Sequence, residues 1–363
     1  MNINIRKYDF IFHIAWTILL YADYFKHANA DICNTLNILG AGLIALDIAI
    51  HINKLRLKEI VILTGFIVLS TRIYQVANTR TPLMLMLTIF GTRNKNIKQL
   101  FQISFGMKLI QLVIALLFFP FLYYFKTGIK YRSIYVTPNG MGLIFLGLII
   151  SYMCIKIERN ETRLTIKEGL IMNAFNFIIV GYCGCKTVFI IVLFISLAGL
   201  FMHSILFERL VTKVIPLGSV VFVIVLILKA LNVDSNAMEL YGTVGSRWLL
   251  TKKYLSYYDI TLFGNNLIDM GSFDFGYFAL LIEQGLVYTI IFVLCLCRLL
   301  VQGMRENNRY LVILTCAVLV FYTMERTAFN VVTNPLLLYF STMITTTGIR
   351  RRERALYKKD FCC

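Results

Sequence analysis

No stretch of this sequence is polar for long enough to fold as a separate soluble domain. Every polar interval is a loop between apolar runs, and none could bury a core of its own. Carboxylates are also scarce: 19 Asp and Glu stand against 36 Lys and Arg, for a formal charge of +17. Such a balance raises the question of nucleic acid, but the cations are dispersed over many short loops, which argues against it. Metal ligands at usable spacing are missing. The nine cysteines form no disulfide framework. Cys154, Cys295, Cys297 and Cys316 fall in apolar runs, where cysteine serves as a small core residue. Cys183-Gly184-Cys185 lacks the spacing of a zinc knuckle. Cys362-Cys363 lacks the prenylation pattern. The charged start leads into an apolar run without a small-residue cleavage site, so that run is expected to remain as a membrane helix.

What is present is apolar sequence in blocks. Hydrophobic residues make up 58% of the 363, and the mean hydropathy is +0.74. Soluble chains are about half apolar, so the solvent here is lipid. The expected fold class is all-α: a polytopic membrane helical bundle, with residues 1–363 forming a single integral membrane domain. Membrane-length runs fall near 9–24, 33–52, 59–77, 81–92, 106–125, 140–156, 169–182, 187–204, 214–231, 276–299, 310–325 and 330–347. This predicts about 12 transmembrane helices, or roughly 10 if the short fourth and seventh runs do not cross. With both termini placed in the cytoplasm, about two-thirds of the 36 lysines and arginines fall on the inner side, Lys108 among them. Asn160-Glu161-Thr162, a glycosylation sequon in form, then also faces the cytoplasm.

Two intervals, 126–139 and 232–275, are the outer loops that carry most of the remaining polar character. In the longer one, Gly245-Ser246 precedes RWLLTKKYLSYY. Ser246 is expected to cap a short amphipathic helix with Arg247 in its first, electropositive turn. Leu250, Tyr254, Tyr257 and Tyr258 then share one face. In the shorter loop, Lys130 and Arg132 precede Pro138-Asn139, and Asn139 is expected to cap the next span. Helix N-termini beside arginines are phosphate sites, and two of them suit a diphosphate. Acidic groups near this face are few. Asp274 stands where the long loop ends, Glu283 lies further into the following span, and Glu325 is expected to pair with its neighbour Arg326. Arg72 and Asp47 lie within spans at different depths and are not expected to pair.

Five segments together resemble the Wzy-type polysaccharide polymerases, relatives of the O-antigen ligases. They are YRSIYVTPNGMG at 131–142, CGCKT at 183–187, GSRWLL at 245–250 with TLFGNN at 261–266, and SFDFGYFALLIEQG at 272–285. Lys186 stands where that family commonly has arginine, and Asp274 where the ligases have histidine, which favours polymerase over ligase. The resemblance implies an all-helical membrane glycosyltransferase of the GT-C-like type in a bacterial inner membrane, working without metal or other cofactor. Its donor is a glycan on undecaprenyl diphosphate, its acceptor a lipid-linked repeat unit, and its partners include a chain-length regulator and a flippase. Lipid diphosphate leaves as a sugar hydroxyl attacks the anomeric carbon. The expected catalytic groups are Arg247 and Arg132, which stabilise the leaving group, and Asp274 as base. Lys186, Arg326, Arg72, Lys130 and Asn139 are expected to bind the diphosphate. Trp248 and Tyr254 are expected to stack on sugars. A ligase, or a flippase or transporter of lipid-linked sugars, is the alternative. The latter needs charge along a central path, and few ionisable residues lie inside the spans.

Overall fold

The computed structural model describes residues 9–25, 29–124, 138–161, 164–201, 210–232, 237–267 and 275–344. The described residues are helical, with no strand among them. Helices α1 (Phe10–Phe25), α2 (Ala30–Ile50), α3 (Leu57–Ala77), α4 (Thr81–Thr92) and α5 (Ile97–Tyr124) form the first half. The second half contains α6 (Pro138–Glu158), α7 (Ile166–Cys183), α8 (Lys186–Leu200), α9 (Ile215–Leu231), α10 (Ala237–Tyr257), α11 (Gly276–Arg305, with a π turn at Leu280–Gln284), α12 (Arg309–Phe321) and α13 (Pro335–Ile344).

Five of the described helices are long and apolar enough to cross a bilayer: α2, α3, Ile97–Leu117 of α5, Gly140–Glu158 of α6, and α11. They mark the chain as a membrane protein. α1, α4, α8, α9, α12 and α13 are apolar but shorter, so a count near 12 rests on segments below the usual span length. Lipid solvates apolar side chains, so hydrophobic residues need not turn inward. Accordingly α2 and α3 leave large apolar residues such as Ile38, Val61 and Val68 on the surface, whereas α6 is mostly buried and forms the centre. α1 packs on α2, α5 on α6, α7 on α8 and α11 on α12.

Charged residues inside the bundle are paired. Lys108 lies in the middle of α5, fully buried, and binds Asp23 of α1 at 2.9 Å. It therefore belongs to the interior rather than to an inner loop, because a carboxylate across the helix interface offsets the cost of burying the ammonium. At one end of the bundle, Lys95 bridges Asp9 and Asp47 at 3.2 and 3.1 Å, and Arg93 meets Glu59 at 3.1 Å. Asp47 is thus held by Lys95, far from Arg72, as the span positions implied. At the same end Lys156 binds Glu161 and Glu168 at 2.7 and 2.9 Å. Glu168 also closes a capping box with Thr165 at the start of α7. Burial opposes the Glu168 charge, but hydrogen bonds from Tyr152, Lys156 and Thr165 outweigh it and hold the carboxyl at about 2.

Candidate functional site

At the opposite end of the bundle, two arginines from distant parts of the chain meet at residues 324–326, and a third, Arg72, stands over the loop strapped to the helix that pairs with one of them. The meeting begins with a break in a helix. In α11 the backbone widens to a π turn at Leu280–Gln284, which displaces the regular i to i−4 pattern and frees carbonyls and amides. The loop 258–266 takes these up. The Asn265 side-chain amide donates to the Ile282 carbonyl at 3.0 Å, and the amides of Leu286 and Val287 donate to Thr261 and Leu262 at 2.9 and 3.3 Å. Gly264 and Gly285 both have φ +87. A Cβ on Gly264 would run into the Glu283 backbone, and one on Gly285 into Gly264. Only glycine permits this strapping. The strap explains why TLFGNN and ALLIEQG, separate in sequence, act as one structural unit.

The π turn carries Glu283, whose side chain pairs with Arg326 on the 3-10 turn Arg326–Phe329. The sequence expectation that Arg326 pairs with Glu325 is corrected here: adjacent side chains diverge in a tight turn, while the widened α11 delivers Glu283 directly. Gly276, at the start of α11, lies against the carbonyls of Tyr322 and Glu325, where any Cβ would collide. Arg247 of α10 donates to the carbonyl of Met324, two residues from Arg326. Arg72, in the fifth turn of α3, lies 5.9 Å over the ring of Phe263 in the strapped loop. The three guanidinium groups thus come from α3, α10 and the 3-10 turn, and Glu283 holds one of them. At the α7–α8 junction a hydrogen bond with Cys183 and burial push the Cys185 thiol up, and the charge of Glu325 acts in the same direction. Lys186 begins α8 beside Cys185 and is exposed.

α10 differs from its expected form. It begins at Ala237 rather than after Ser246. Nothing between Ala237 and Gly245 is a proline, so the helix runs through the Gly-Ser pair instead of starting there. Arg247 consequently sits mid-helix, and its charge is placed by Met324 rather than by a helix terminus. Trp248 and Tyr254 are 3% and 1% exposed and form part of the core, so the rings expected to face sugars are turned inward. Tyr257 is the exposed ring of that group. Asn139 is likewise the second residue of α6, since the helix begins at Pro138. Proline's fixed φ and missing amide suit a first helical position, so Asn139 is not the cap.

Asp274, Arg132 and Lys130 lie outside the described residues. Of the other expected residues, Arg247 and Arg326 meet at residues 324–326, Arg72 stands over Phe263 of the strapped loop, and Lys186 is exposed at the start of α8. Sequence reasoning singled out Glu283 as a costly charge within a span but missed its partner, 43 residues away. A helical period gives no hint of a π turn, although the glycine at 285 was a usable signal. Among the described residues no cluster of His, Cys, Asp and Glu could hold a metal ion. Comparison with protein-family models, curated proteins and solved structures finds no match to this chain.

Proposed function

We propose that this protein is a glycosyltransferase of the polysaccharide-polymerase kind, extending a glycan carried on a polyprenyl diphosphate at the outer face of a bacterial inner membrane. The observation that supports the reading is the placement of Arg247 and Arg326 at residues 324–326, with Glu283 the carboxylate that orients Arg326 and Arg72 over Phe263 of the loop strapped to the same π turn. A diphosphate leaving group gathers negative charge as the glycosidic bond breaks. Guanidinium groups fixed in advance stabilise that charge and grip two phosphate oxygens at once. The acceptor sugar hydroxyl attacks the anomeric carbon, its proton passes to a carboxylate, and lipid diphosphate departs. Asp274 remains our choice for that carboxylate, with Arg132, Lys130 and Lys186 completing the cationic wall. Both termini then face the cytoplasm.

A transporter of lipid-linked sugars would need a chain of ionisable groups through the bundle. Among the described residues, Lys108 and Asp23 form a buried pair that ties α5 to α1, and the other interior ion pairs lie at the ends of the bundle. The test is the glycan pattern of a strain lacking this protein. Single repeat units accumulating on lipid at the outer leaflet support a polymerase. Full-length chains that fail to reach their final carrier point to a ligase, and absence of repeats at the outer leaflet points to a flippase.

A further inference from the structure

Two Cys-x-Cys pairs occur in this chain, and the fold treats them differently. Cys295-Leu296-Cys297 lies within the regular part of α11, where residues two apart do not face each other. Cys183-Gly184-Cys185 spans a break. α7 ends at Cys183, Gly184 takes a left-handed φ of +66, and Cys185 is the residue before α8. Glycine permits that reversal, which turns the two flanking side chains toward each other, and their thiols share a hydrogen bond. α6 closes over the pair: a Cβ on Gly142 would stand 2.8 Å from the Cys185 sulfur. Cys185 is buried, whereas Cys183 is partly exposed and, as a thiol, donates to the Ile179 carbonyl at 2.9 Å. The hydrogen bond with Cys185, assisted by backbone amides, brings Cys183 down to about 7 against the opposing effect of burial. The same contact, with burial, pushes Cys185 up. An accessible, readily ionised thiol thus stands against a buried, protonated one, the arrangement of a nucleophile and its resolving partner. α6 runs from Gly142 to Lys156, which binds Glu168 near the start of α7. The thiol pair therefore lies at the other end of the bundle, the end that holds Arg247 and Arg326.

We propose that Cys183 and Cys185 are a site of reversible oxidation, closed to a disulfide by a disulfide-bearing oxidant in the compartment outside the membrane. The outward placement rests on the function proposed above, and the pairing of the thiols does not. The Cys183 thiolate attacks one sulfur of the oxidant's disulfide, forming a mixed disulfide and releasing one oxidant thiolate. Cys185 then loses its proton and attacks the Cys183 sulfur, and the second oxidant thiolate leaves. Two protein thiols become one disulfide, two electrons pass to the oxidant, and its two thiolates take up the protons. An oxidising compartment keeps such a pair closed. The ring spans a single glycine and joins the end of α7 to the start of α8.

The test follows the thiols of the full-length protein by mass spectrometry. One sample is purified protein in phosphatidylcholine vesicles treated with oxidised glutathione. The other comes from growing cells. Both are quenched with acid, alkylated with N-ethylmaleimide and digested. The expected result in both is a Cys183–Cys185 peptide lighter by two hydrogen atoms and free of maleimide, which dithiothreitol returns to two alkylated thiols. Cys295 and Cys297 serve as the internal control, and their sulfurs are expected to stay unjoined. Cys185→Ser should trap glutathione on Cys183, because no resolving thiol remains. Cys183→Ser should leave the buried Cys185 without an adduct. Maleimide on both Cys183 and Cys185 in either sample, or equal closure of Cys295 with Cys297, overturns the proposal, and the native protein alone decides this. A closed pair in a protein whose deletion leaves the glycan ladder unchanged would keep the site and remove the polymerase reading. Open thiols in a protein that extends glycan would do the reverse.

Discussion

Arg247 donates to the Met324 carbonyl and Arg326 pairs with Glu283, so neither guanidinium is free to wander. Each is held by a contact that fixes where its charge stands. Removing Arg247 should therefore abolish glycan extension while leaving membrane insertion intact. Arg247→Ala assayed by glycan ladder and by membrane fractionation checks this, and normal polymer length would remove Arg247 from the site. Glu283 acts one step back, as a positioning residue. Glu283→Gln leaves Arg326 without its counter-charge, and we expect a loss of about 1–3 kcal/mol in thermal unfolding, less than a fully buried pair because Arg326 keeps some solvent. The double variant Glu283→Gln with Arg326→Gln should recover much of that stability and none of the activity. That both change together is legible only in three dimensions, since nothing in the order Glu325-Arg326 discloses a partner from α11.

At the scale of elements, the decisive contact is the strap of loop 258–266 on the π turn of α11. Gly264→Ala faces both a left-handed φ of +87 and a collision with the Glu283 backbone. Left-handed strain alone costs on the order of 1–3 kcal/mol, so we expect at least that loss in unfolding, with release of Phe263 from Arg72 and of activity with it. Gly65→Ala, in open space, should change stability little, and a similar loss there would show that general helix effects dominate. At the other end of the bundle Glu168 ties α6 to α7, and burial is outweighed by its hydrogen bonds, so its carboxyl titrates at about 2. A depressed folded value means the contribution is complete above the ordinary carboxylate range and is lost as pH falls from there through about 2. The thermal advantage of the native protein over Glu168→Gln should stay constant from pH 7 to about pH 5 and shrink below that. An advantage that shrinks already between pH 7 and 5 would contradict the assignment. Element type was readable from apolar runs, and α4 falls on its expected bounds. The start of α10 was not readable, because a Gly-Ser pair resembles a cap yet lacks the power to stop a helix already under way.

For the whole molecule, sequence established an all-helical membrane protein, because long apolar blocks in a chain without a polar domain admit little else. It also named Arg247, Arg326 and Arg72 among its candidate diphosphate residues, beside Arg132, Lys130 and Lys186, without showing which of them would be neighbours. It could not place Lys108, whose interior position depends on Asp23 across α1, nor show that Trp248 and Tyr254 turn inward. Those depend on contacts between elements, which no local pattern encodes. The central claim is that fixed arginines, rather than a metal or a nucleotide, stabilise a departing polyprenyl diphosphate. It is tested most directly by mixing the purified protein in vesicles with lipid-linked repeat units, EDTA present and nucleotide absent, and following chain length. The account predicts elongation by the native protein and none by Arg326→Gln. Failure of the native protein to elongate until metal or nucleotide is added, or elongation undiminished in Arg326→Gln, would contradict it.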